Sequence, residues 1–90
     1  MSMIELNDEK VTIGSTVTVR DLESGEIEVY TLVPPSQADI ANNRISSLTP
    51  VAHALYGRRP GDEVHVEAPG GTIRLLLESV QSEAAQEEYG

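Results

Sequence analysis

From Val11 onward the chain alternates, with Val11, Ile13, Val17 and Val19 on one parity and Thr12, Thr16, Thr18 and Arg20 on the other. That period of two predicts a strand, and Gly14 and Ser15, which interrupt it, predict a bend or bulge near its start. The next stretch, "DLESGE" from Asp21 to Glu26, supplies Asp, Ser and Gly, which enter tight turns at low steric cost. Ile27, Val29, Thr31 and Val33 then alternate again, so the two runs predict an antiparallel hairpin.

Pro34 and Pro35 lack the N–H that a ladder needs and end the second strand. "PPSQADIANNR", Pro34 to Arg44, reads as an exposed loop with room for one helical turn, after which Ile45 and Leu48 return toward the core. In "TPVAHALYG", Thr49 is placed as an N-cap, Pro50 at the first helical position and Gly57 just past the end. Val51 with Leu55, and Ala52 with Tyr56, give this short helix an apolar stripe to lay on a sheet. "RRPGDE" predicts a turn, Val64 and Val66 a third strand, "APGG" another turn, and Ile73, Leu75 and Leu77 a fourth strand. Leu76 and Val80, on the other parity, suggest that this last strand is covered on both faces for part of its length. These elements predict an α+β domain, an antiparallel sheet of four or more strands wrapped around one short helix. Its limits are 10–81, between an N-terminal extension (1–9) and an acidic tail (82–90) expected to be disordered.

Ninety residues suffice for one core and not for two. Fifteen acidic against six basic side chains, a formal charge of -9, oppose contact with nucleic acid phosphates and favour a basic protein surface. Three Tyr, with no Phe or Trp, offer few platforms for stacking bases, so no sequence-specific nucleic acid partner is expected. The absence of Cys suits the cytoplasm, and no apolar run reaches the roughly 18 residues of a membrane span.

Candidate chemistry is sparse. His53 and His65 fall on different elements without metal-ligand spacing, and Ser46, Ser47 and Thr49 lack the surroundings of a nucleophile. Gly70 and Gly71 precede a strand rather than the helix that a phosphate loop requires. No cofactor, metal or catalytic residue is therefore assigned.

The run "ISSLTPVAHALYGRRPGDEVHVEAPGG", Ile45 to Gly71, resembles the C-terminal domain of the bacterial GreA/GreB transcript cleavage factors. Its pattern is I-S-x-x-S/T-P-I/V-A-x-A-L-x-G, then G-D-x-V and P-G-G. It is matched by Ile45, Ser46, Thr49, Pro50, Ala52, Ala54, Leu55, Gly57, Gly61, Asp62, Val64, Pro69, Gly70 and Gly71. Upstream, "VTIGSTVTVRDLESGEIEVYTLV" is similar to the strand pair that opens the same domain, and the likeness extends to Val80. "TLVPP", "VHVEAPGG" and the tail look closer to the Rnk branch, the regulators of nucleoside diphosphate kinase.

The resemblance implies an FKBP-like half-open sheet around one helix, and docking on RNA polymerase at the rim of its secondary channel. In full-length Gre factors a helical hairpin ahead of this domain carries the carboxylates that help hold a catalytic magnesium ion. Only about ten residues precede the first strand here, so the expectation is a non-catalytic module, not an enzyme, that regulates transcription elongation without transcript cleavage. Family contacts are attributed to the loop after the second strand and the segment entering the helix. These correspond to Pro34, Pro35, Ser36, Gln37 and Asp39, and to Ser46, Ser47, Thr49 and Pro50, with Pro35, Ser36 and Gln37 standing where Gre factors carry acids. The alternative is a stand-alone interaction domain with another protein partner or with itself; the oligomeric state is left open.

Overall fold

A computed structural model describes residues 10–82; the extension expected at 1–9 and the tail from residue 83 lie outside the described residues. The elements are β1 (Ser15–Asp21), β2 (Ile27–Val33), β3 (Arg44–Ser46), α1 (Pro50–Leu55), β4 (Glu63–Ala68) and β5 (Gly71–Ser82). They form one curled five-stranded sheet in the order β3-β2-β1-β5-β4, with α1 packed chiefly against β4.

The interruption at Gly14 and Ser15 is a turn at Ile13 and Gly14 that leads into β1 at Ser15, rather than a bulge within the strand. Gly14 takes a φ of 96°, which costs a residue without Cβ little, and its N–H donates to the Leu32 carbonyl at 2.7 Å. The Ser15 hydroxyl accepts from the Thr12 N–H at 2.9 Å. Val11 is left fully buried and Ile13 turned outward. Backbone hydrogen bonds from Val11 to the Arg58 carbonyl and from Gly57 to the Val11 carbonyl tie this segment to the exit of α1.

Directly paired residues share a face of a sheet. Val17 opposite Tyr30, and Val19 opposite Glu28, therefore put Tyr30 and Glu28 on the core side of β2. The parity that carries Ile27 and Val29 is the outer one, and both side chains are exposed, whereas Val33, at the end of the same parity, is buried. Leu32, on the inner parity, is fully buried.

β5 pairs with β1 on one side and β4 on the other. Val17 faces Val80 and Val19 faces Leu77, so three residues of β1 span four of β5, and the ladder shifts between Thr18 and Val19. This bulge lets Leu75, Leu77 and Val80 all enter the core, although Val80 lies on the opposite parity. Val80 is thus not evidence of a second covered face. Glu78, the extra residue, is held by Arg20 at 2.7 Å.

The sheet is mixed, which corrects the antiparallel expectation. β3 runs parallel to β2, with Thr31 opposite Arg44 and Val33 opposite Ser46. A parallel neighbour needs a crossover, and residues 34–43 provide it as two short 3₁₀ turns, Pro35–Gln37 and Ile40–Asn42. Asn43, with φ 58°, turns the chain into β3. A strand of three residues has too short a period to be seen in the sequence. Ile45 packs against the core as expected, but Leu48 does not, being 69% exposed.

Replacing Leu77, fully buried, by Ala should lower the free energy of unfolding by about 2–5 kcal/mol. Replacing Ile40, 84% exposed, should change it by less than about 0.5 kcal/mol. Urea denaturation followed by circular dichroism checks both.

Candidate docking site at the β3 edge

The nine residues singled out in the sequence lie on two segments that the fold brings together. Pro34 holds an extended conformation, and Pro35 opens the first 3₁₀ turn, where its fixed φ suits the geometry. The Gln37 N–H donates to the Pro34 carbonyl at 2.8 Å, and Ser36 and Gln37 are exposed. On the other segment the Ser47 N–H donates to the Val33 carbonyl at 2.8 Å, which ties the entry of the helix to the end of β2 beside the two prolines.

Several of these residues work for the fold. Asp39 and Arg44 exchange backbone hydrogen bonds of 2.8 and 3.0 Å, and the Asp39 carboxylate accepts from the Asn42 side-chain amide at 2.7 Å. Asp39 thereby closes the tight loop that launches β3. The Ser46 hydroxyl accepts from the Leu48 N–H at 3.0 Å, and the Ser46 carbonyl accepts from the Thr49 hydroxyl at 2.9 Å. The Thr49 hydroxyl in turn accepts from the Ala52 N–H at 3.2 Å, the N-cap that its position predicts. Pro50 occupies the first helical turn.

This folded turn has a consequence that the residue types do not announce. It fixes Leu48 in solvent, while the second 3₁₀ turn fixes Ile40 in solvent on the same edge of the sheet. Both were absent from the sequence-based set, Leu48 because it reads as core and Ile40 because it sits in a polar loop. An exposed large apolar residue within a hydrogen-bonded turn is a partial signal for both. Between Pro34 and Pro50 only Asp39 and Arg44 are charged, so this edge is nearly neutral on a strongly acidic chain.

The two histidines lie elsewhere. His53 is exposed on α1; His65, on β4, shares a hydrogen bond of 2.9 Å with the Glu63 carboxylate, and Arg74 lies 3.5 Å from the same oxygen. The hydrogen bond from His65, with Arg74 adding to it, holds the Glu63 carboxyl below the usual carboxylate range.

Compared with known proteins, residues 6–82 match the family model described as transcription elongation factor, GreA/GreB, C-term. The chain belongs to the GreA/GreB C-terminal domain family. It is 45% identical over 86 residues to the transcription elongation factor GreA of Nitratidesulfovibrio vulgaris strain Miyazaki F, covering 96% of this chain and 54% of that protein. Among solved structures it resembles Gfh1 of Thermus aquaticus, with a TM-score of 0.76 at 28% identity, covering 83% of this chain and 50% of the other. It also resembles the elongation factor GreA/GreB of Nitrosomonas europaea, with a TM-score of 0.70 at 36% identity, covering 90% and 68%. The chain spans about half the length of the GreA sequences it matches.

These matches overturn one expectation. A module with no part in enzymatic catalysis was inferred from the few residues that precede β1. The relatives are named transcription elongation factor GreA, members of the family whose resemblance implies transcript cleavage. A chain that spans half of such relatives cannot be assigned a non-catalytic character from the point at which it begins.

Thr49→Ala should cost about 1 kcal/mol in urea denaturation through loss of the helix cap, and Thr49→Ser should retain most of it. In an NMR titration Glu63 should titrate below an ordinary glutamate, and His65→Ala should raise its pKa. Because the folded value is the lower one, this group favours the fold above its unfolded pKa, and the contribution is lost as pH falls through the folded value.

Proposed function

We propose that this domain docks on RNA polymerase as part of a transcription elongation factor, at the rim of the secondary channel. The contact would comprise Pro34 to Gln37 with Asp39 and Ile40, and Ser46 to Pro50 with Leu48. The observation that carries this reading is the exposure of Ile40 and Leu48, at 84% and 69%, on a nearly neutral edge. Large apolar anchors ringed by polar groups are the usual source of interface affinity. The hydrogen bonds that hold the turns lower the ordering cost of binding, while the net charge of -9 favours approach to a basic surface at longer range. The same proposal takes residues 10–81 as the domain, describes its sheet and helix as FKBP-like, and keeps the Rnk-like character of "TLVPP" and "VHVEAPGG".

Binding of the purified chain to bacterial RNA polymerase core, followed by interferometry, should be saturable and displaced by a GreA factor. Leu48→Asp and Ile40→Asp should each weaken it by about tenfold or more with an unchanged circular dichroism spectrum. Full affinity in both variants would remove this surface from the contact. No saturable binding at about tens of micromolar would remove the polymerase reading and favour a different protein partner.

A further inference from the structure

The net charge of -9 is not spread evenly along the chain. Residues 1–9 and 83–90 together hold six acids and no Lys or Arg, whereas residues 10–82 hold nine acids and all six basic side chains. Two of those bases, Arg20 and Arg74, pair with Glu78 and Glu63. Lys10, Arg44, Arg58 and Arg59 form no ion pair among the described residues. Arg44 stands in β3; the other three gather at the exit of α1.

Backbone hydrogen bonds bring them together. The Val11 N–H donates to the Arg58 carbonyl at 2.9 Å and the Gly57 N–H to the Val11 carbonyl at 2.8 Å, which sets Lys10 beside the Arg58–Arg59 turn. That turn is held from both ends, the Arg58 N–H donating to the Leu55 carbonyl and the Asp62 N–H to the Arg59 carbonyl, each at 3.0 Å. Asp62 is the acid of this turn, and its carboxylate accepts from the Arg59 N–H at 2.9 Å. All three basic side chains are exposed. Tyr56, which ends the helix just ahead of them, is 57% exposed, although its spacing from Ala52 had placed it on the apolar stripe.

Two kinds of contact become available side by side. Exposed Lys and Arg take up phosphate oxygens, Arg through parallel N–H donors. An exposed aromatic ring takes the face of an unpaired base, which a duplex keeps stacked and an acidic peptide lacks. The combination therefore fits a single nucleic acid strand better than an acidic protein segment, for which the cations alone would count. A second copy of the chain would bring a net charge of -9 and no base. The excess of acid elsewhere keeps such binding weak and sensitive to salt.

We propose that Lys10, Tyr56, Arg58 and Arg59 form a contact site for single-stranded nucleic acid, in which the three cations follow the phosphate backbone and Tyr56 stacks on one base, without regard to sequence. The site lies at the exit of α1 rather than on the β3 edge, and it does not depend on polymerase binding. Three phosphate contacts to a single strand predict that affinity falls by about two decades for each tenfold rise in salt.

Titration of the isotopically labelled full chain with a single strand of about 12 nucleotides at about 50 mM salt, followed by NMR, tests this. The amides of Val11, Tyr56, Gly57, Arg58 and Arg59 should shift in a saturable way, and two strands of unrelated sequence should bind within about threefold of each other. Arg58→Gln with Arg59→Gln should weaken binding by about tenfold or more and cut the salt dependence to below about one decade. Tyr56→Ala should weaken it by about fivefold or more with the salt dependence unchanged, and Tyr56→Phe should retain it. The β1 and β5 resonances should keep their positions in every variant, which separates lost contact from lost fold. Absence of shifts at about 1 mM strand would overturn the proposal. Full affinity in Tyr56→Ala would overturn it as well. So would equally tight binding of a glutamate oligomer of matched charge, which would reassign the corner to an acidic protein partner. The edge variants Ile40→Asp and Leu48→Asp alter neither Tyr56 nor the three cations, so polymerase docking and strand binding fail separately.

Discussion

Everything in this sheet depends on one strand satisfying two ladders at once. β5 must match β4 from Gly71 to Leu76 and match β1 from Leu75 to Ser82, while filling the core from one side. A regular strand would send Leu77 and Val80 to opposite faces, because side chains alternate strictly. The extra residue at Glu78 reverses the parity and returns both to the core. An unpaired acid in the middle of a sheet is a poor neighbour, and the Arg20 guanidinium at 2.7 Å answers it. The ion pair is partly exposed and contributes little stability by itself. Its value lies in where it holds the bulge.

With β1 and β5 locked in that register, the two ends of the sheet are free to serve different purposes. At one end β4 is covered by α1 and lined on its outer face by Glu63, His65 and Glu67, charges that discourage pairing with a foreign strand. At the other end β3 has only three residues, and the isolated bridge between Asp39 and Arg44 occupies part of its outer side. Neither edge is an open template for another strand. The docking proposed at the β3 end would therefore fall to side chains carried on the turns, where Ile40 and Leu48 are exposed.

Most of the architecture could be read from the pattern of residues, because each major element carries its own local signature. Thr49, Pro50 and Gly57 mark both ends of α1, and the alternation in β1 and β4 agrees with their burial. What could not be read depends on distant partners. The parity of β2 looks inward throughout, yet the pairing with β1 turns Ile27 and Val29 to solvent, and of that alternation only Val33, at the strand's end, is buried. The parity change at Glu78 leaves no trace in residue type, and β3 is too short for any period to emerge. The segments proposed to dock were legible only through family resemblance. Their anchors were hidden, since an apolar residue in a loop reads as core until the hydrogen bonds of Ser46 and Asp39 show that its turn points it outward.

The distribution of charge then sets one edge of this small domain apart from the rest. The segment from Pro34 to Pro50 holds one acid and one base, so the binding proposed there would draw its affinity from burying apolar area, with added salt acting mainly through long-range approach. On an acidic chain with a nearly neutral edge, the surface proposed to dock is thus set apart from the excess charge, so that the edge would select for shape and hydrophobicity while the rest of the surface steers approach.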